Sequence, residues 1–130
     1  MNRKTLYITL LAIVLLFTAF EETRLRPYLL RHHIHTFYIA DSLPNFLAVL
    51  IPFFVYSVLK YPMSLAESLK ATAAFVIAMI LYELAQPFME HRTFDVIDIL
   101  ASVLGGVVCC AVAWLLPAKV FVVPQRVYKD

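Results

Sequence analysis

Glycine is almost missing from this sequence: the 130 residues hold two, adjacent at positions 105 and 106. With so little glycine, and seven prolines that stand singly, the chain has no flexible linker and no low-complexity tract. No internal repeat is visible either, so one compact domain is expected. Cysteine is equally scarce. Cys109 and Cys110 are neighbours inside an apolar run, and consecutive helical positions point ~100° apart, which excludes a disulfide between them. They read as small packing residues. Charged residues make up only 15% of the chain and leave a net charge of +2, too little to attract a nucleic acid.

What fills the space is hydrocarbon. The chain is 62% hydrophobic with a mean hydropathy of +0.81. A soluble domain of this length cannot hide that much apolar surface, so a bilayer must serve as solvent for most of it. Four runs approach the ~20 residues that cross a hydrocarbon core: 5–20, 43–59, 69–88 and 96–116. The expectation is an all-α integral membrane bundle of four transmembrane helices. The first run follows Asn2, Arg3 and Lys4 and so resembles a signal peptide. Phe17 and Phe20 crowd the positions where small residues would permit cleavage, which favours an uncleaved helix. Pro52 is expected to kink the second span, and Pro87 to end the third.

Four spans put both termini on one side. That side collects seven positive residues (Arg3, Lys4, Lys60, Lys70, Lys119, Arg126, Lys129) against four on the other (Arg24, Arg26, Arg31, Arg92). The positive-inside rule then makes the termini cytoplasmic in a multi-pass protein of the cell membrane. Seven of the nine acidic residues fall at the opposite, outer end. After the first helix, residues 24–42 (RLRPYLLRHHIHTFYIADS) mix basic residues with Tyr28, Leu29, Leu30, Ile34, Phe37 and Tyr38. That mixture predicts an interfacial segment in the outer headgroup layer. His32, His33 and His35 crowd together there, but three histidines in four residues do not make a tetrahedral set, so no metal and no cofactor is expected.

Polar residues concentrate in YELAQPFMEHRTFDVID, residues 82–98. Glu83 and Gln86 share a helical face. Pro87 has no amide hydrogen, so the Glu83 carbonyl should lose its usual donor. Arg92 is the nearest cation, expected to pair with Glu83 and to be shared with Asp95 or Asp98. The plainer alternative is that Asp95 and Asp98 simply cap the fourth helix. Asp98 lies on a stripe with Ser102, Gly105 or Gly106, and Cys109. Such a small, polar stripe admits a close neighbour and should face the bundle. Asp41 and Asn45 open the second span at the same outer level, so three helices direct polar groups to one corner.

On these residues the chain resembles the VanZ-like membrane proteins, small multi-span bacterial proteins. Glu83 and Gln86 match the family's E-x-x-Q, Arg92 its arginine, and Asp95 and Asp98 its D-x-x-D. Ser102 stands where the family often has Asn, Gly105–Gly106 match its glycine, and Asp41 its earlier Asp. The departures are Asn45 in place of His and Ser42 where Lys is common. The resemblance spans roughly residues 40–110. It implies a small multi-span membrane protein and a link to the cell envelope, the family taking its name from a low-level glycopeptide (teicoplanin) resistance determinant.

Two functions compete, with a third behind them. In the first, Asp41, Asn45, Glu83, Gln86, Arg92, Asp95, Asp98 and Ser102 form a binding site. Its ligand would be a membrane lipid headgroup, a lipid-linked envelope precursor, a partner membrane protein or a second copy of the chain. In the second, the protein is a small intramembrane enzyme with Glu83 or Asp98 as general base and Arg92 as electrostatic stabiliser. No Ser-His-Asp set supports catalysis, so binding leads. A proton-coupled transporter would require an oligomer.

Overall fold

The computed structural model describes residues 2–32, 39–89 and 93–116. Among them every regular element is helical, and four helices are long and apolar enough to cross a membrane. Helix α1 (Arg3–Phe20) starts at Asn2, whose side chain accepts the Lys4 amide. It does not stop at Phe20. A π-helical turn (Glu21–Leu25) joins it to α2 (Arg26–Arg31), making one run of 29 residues. At 1.5 Å per residue that is about 43 Å, against a hydrocarbon core of ~30 Å. The basic residues that were expected to leave the helix therefore begin as its extension. Pro27 accounts for the π-turn: it has no amide to donate and its ring crowds the preceding turn, so the backbone widens and Arg26 N–H donates to Glu21 O instead.

Helix α3 (Ile39–Leu59) stays helical through both Pro44 and Pro52. Helix α4 (Leu65–Ala85) begins four residues before the predicted boundary, because Ser64 and Glu67 form a reciprocal capping box. It closes in a 3₁₀ turn at Gln86–Phe88, and α5 runs Val96–Leu115. Helix α3 is central, packed on α1, α4 and α5, and α5 also packs on α4. The core is small: Tyr7, Val49, Leu50, Phe53, Phe54, Cys109 and Ala113. Tyr7 ties the first helix to the last by donating its hydroxyl to the Leu116 carbonyl, 3.4 Å away. Cys109 is a buried free thiol in this core, as its packing role requires.

The distribution of polarity is inverted relative to a soluble bundle. Leu16, Phe20, Leu81, Leu104 and Trp114 are exposed, whereas Glu21, Ser57, Thr72, Glu83, Gln86 and Ser102 are buried. Buried hydroxyls are cheap here because Ser57, Ser68, Thr72 and Ser102 each donate to the carbonyl one turn back. Hydrocarbon outside and polar groups inside is the arrangement a bilayer favours, although both carboxylate oxygens of Glu21 are buried without a described hydrogen-bond partner.

The two glycines occupy the tightest crossing. A Cβ at Gly105 would lie 2.8 Å from the Phe46 carbonyl oxygen, and one at Gly106 would lie 2.5 Å from Val76 Cγ2. Helix α5 thus lies against α3 through one glycine and against α4 through the next. The Asp98, Ser102, Gly105–Gly106, Cys109 stripe faces the bundle, as its composition predicts.

Candidate functional site

Two neighbouring polar groupings form where α3 and α5 begin and α4 ends. The first is a clasp around Glu83, which is only 2% exposed. Its Oε1 accepts the Asp95 backbone amide at 2.9 Å, and its Oε2 accepts a bond from Gln86 Nε2. The clasp pins the end of α4 to the entry of α5 across twelve residues of sequence. Asp95 is the N-cap of α5, its Oδ1 accepting Ile97 N–H at 2.8 Å. The capping alternative therefore describes Asp95. The Glu83 carbonyl is not left free by Pro87: the Gln86 amide reaches it in the tightened 3₁₀ turn. That corrects the sequence-based expectation, which allowed only for the regular helical donor. The pairing expected between Glu83 and Arg92 falls on a residue outside the described ones, as do Glu90, His91, His33 and His35.

The second grouping is a pocket of about 350 Å³ lined by Arg26, Asp41, Pro44, Asn45, Ala48, Met79, Tyr82, Gln86 and Asp98. Each helical rod contributes: Arg26 from α2, Asp41 and Asn45 from α3, Tyr82 and Gln86 from the end of α4, and Asp98 from the first turn of α5. Asp41 is exposed, whereas the Oδ1 atom of Asp98 is buried with no hydrogen-bond partner among the described residues. Arg26 Nη1 also lies 3.4 Å from Glu22 Oε1, one turn back on its own helix. Gln86 links the two groupings. Its amide nitrogen donates to Glu83, and the same side chain is among those lining the pocket.

Of the residues expected from sequence to bind, Asp41, Asn45, Gln86 and Asp98 line this pocket. Glu83 and Asp95 form the clasp behind it. Ser102 is buried one turn below, its hydroxyl donating to the Asp98 carbonyl at 3.0 Å. Tyr82 was missed, and Arg26 was expected only as part of the basic segment at the outer headgroup layer, not in this pocket. The signal for Arg26 was present in the helical spacing of Glu22 and Arg26, but it is legible only if α1 is carried past Phe20. A further hollow of about 360 Å³ lies on another face of α3, lined by Ser42, Leu43, Phe46, Ile97, Leu100, Ala101 and Leu104. Apart from Ser42 its walls are hydrocarbon. Among the described residues no three His, Cys, Asp or Glu side chains converge to hold a metal ion, and His32 lies against the Tyr28 ring with centroids 4.4 Å apart.

The fold and its polar pocket define a multi-pass α-helical membrane protein. Comparison with protein-family models, curated proteins and solved structures finds no match to the chain.

Proposed function

We propose that this protein is a VanZ-like binding protein of the cytoplasmic membrane, whose pocket holds the headgroup of a membrane lipid or of a lipid-linked envelope precursor. The observation that carries this reading is the pocket itself. A guanidinium, two carboxylates and two amides from four helices converge on one concave surface at a helix-end level, where headgroups lie in a membrane. Arg26 is the natural partner for a lipid phosphate, offering a planar fork of donors. The seven-to-four distribution of positive residues supports a cytoplasmic start of α1 and end of α5, and with them a pocket in the outer leaflet. Purification in mild detergent followed by lipid extraction and mass spectrometry tests the proposal. Wild-type protein should retain lipid, and Arg26→Gln should retain markedly less. Protein that carries no lipid at all would refute it.

Catalysis is the second reading, favoured by one observation: Asp98, a carboxylate without a described hydrogen-bond partner at Oδ1, is among the pocket's lining residues, where a general base would stand. Chemical change of the retained lipid on incubation would select this reading over simple binding.

A further inference from the structure

We infer that the headgroup held in this pocket carries a primary ammonium beside its phosphate, as in an ethanolamine-type phospholipid. The inference rests on the headgroup reading and goes on to its charge.

The described pocket sets two carboxylates, Asp41 and Asp98, against one cation, Arg26, with the neutral polar groups of Asn45, Tyr82 and Gln86 beside them. Gln86 donates one N–H to Glu83 and keeps its carbonyl oxygen as an acceptor. Arg26 is itself shared, with Glu22 at 3.4 Å outside the pocket lining. A purely anionic headgroup would therefore meet one partly neutralised guanidinium and two carboxylates, a net repulsion. A purely cationic ligand would leave Arg26 facing it. A zwitterion satisfies both signs at once. Its phosphate takes Arg26 and its ammonium takes the acid side.

The number of donors narrows the class. Asp98 lines the pocket with a carboxylate whose Oδ1 has no described hydrogen-bond partner, so the group calls for an N–H or O–H, not merely a nearby positive charge. A primary ammonium brings three donors, enough for Asp98, Asp41 and Gln86. A quaternary ammonium has the same charge and no donor, so it would leave Asp98 unsatisfied. Size agrees: about 350 Å³ is at the lower end of the ~300–1,000 Å³ of small-molecule sites. That suits a compact headgroup better than a sugar–peptide precursor.

The experiment is a titration of the purified full-length chain in detergent with three phospholipids of identical acyl chains, bearing ethanolamine, choline or glycerol. Apparent Kd is read from the shift in unfolding temperature. The ethanolamine lipid should bind about tenfold tighter than either other lipid, the scale of one charge-assisted hydrogen bond. Asp98→Asn should bring the ethanolamine lipid to the level of the choline lipid. Asp41→Asn, at an exposed position that folding tolerates, should reduce the preference in the same direction. Equal binding of ethanolamine and choline lipids overturns the donor argument, and preference for the glycerol lipid overturns the charge argument. Both results leave the headgroup reading standing. Failure of all three lipids to bind overturns that reading as well. A preference that persists undiminished in both aspartate variants overturns this assignment of the pocket.

Discussion

Glu83 illustrates how a carboxylate can reside inside an apolar bundle. It is covered almost completely, yet both its oxygens accept bonds, one from a backbone amide and one from a side-chain amide. Hydrogen bonds to a charged group contribute ~1.5–3 kcal/mol each, and a buried group deprived of its partner costs a similar amount. Glu83→Ala should therefore destabilise the protein by about 3 kcal/mol, and it leaves the Asp95 amide and the Gln86 nitrogen without an acceptor. Glu83→Gln keeps one carbonyl oxygen but turns an NH₂ group toward another donor, so its cost should be about half as large. Thermal unfolding in detergent measures both. Equal losses would mean that the one oxygen Gln retains contributes nothing, and no loss in either variant would mean that the clasp carries no stability of its own. The same residue shows what sequence could reveal. Its sharing of a face with Gln86 follows from a three-residue step. Its bond to the Asp95 amide spans a turn, and no local rule supplies that turn's path.

At the scale of elements, helix α5 is the wedge that brings the polar groups together. Its approach depends on Gly105 and Gly106, and the two positions are not equivalent. An added methyl at Gly105 meets backbone, the Phe46 carbonyl oxygen at 2.8 Å, and can be accommodated only if α3 and α5 part. At Gly106 it meets one methyl of Val76, at 2.5 Å, which a rotamer change can withdraw. Overpacking of this kind costs ~1–3 kcal/mol. Gly105→Ala should fall near the upper figure and Gly106→Ala near the lower. Val76→Ala should rescue Gly106→Ala and leave Gly105→Ala unchanged. Unfolding midpoints of the four variants decide it, and rescue of both glycine variants would show that the two contacts are one. Element boundaries differ in how far sequence discloses them. The start of α4 is marked by its capping box, S-x-x-E at Ser64 and Glu67. The continuation of α1 beyond Phe20 is not marked, because Glu21, Glu22 and Arg24 interrupt the apolar run and Pro27 reads as a breaker. The backbone absorbs that proline by widening one turn.

For the whole molecule, the consequence of four crossing helices is a topology that labelling can read. In a chain freed of Cys109 and Cys110 by replacement with Ala, a single cysteine at Thr93, an exposed position before α5, should react with a membrane-impermeant thiol reagent added to intact cells. One at Ala66, exposed in the first turn of α4, should react only after the cells are opened. The reverse pattern would invert the protein and move the pocket to the cytoplasmic leaflet. The exposed belt of Leu16, Leu81, Leu104 and Val107 also makes detergent or lipid a condition of folding, since at ~25 cal/mol per Å² such a surface strongly favours aggregation in water.

Composition and run length by themselves determined the solvent, the all-helical class, the four spans and the polar end of the bundle. Each of these follows from local sums of hydrophobicity or from a helical period. They also determined that Asp98, Ser102 and Cys109 face inward, because small residues at three- and four-residue steps leave one face of α5 fit for close packing. The tertiary structure alone decided which polar residues meet. Arg26 is fifteen residues from Asp41 and seventy-two from Asp98 in the sequence, and it lines their pocket only because a π-turn carries α1 onward and α3 packs against it. Glu83, next in sequence to Tyr82, and Asp95, three residues before Asp98, are withdrawn from the pocket by the clasp they form with each other. Hydrophobic patterning is a property of each helix taken singly. The pocket is a property of four helix ends, and their relative rotation is set by packing at Tyr7, Phe53, Gly105 and Gly106.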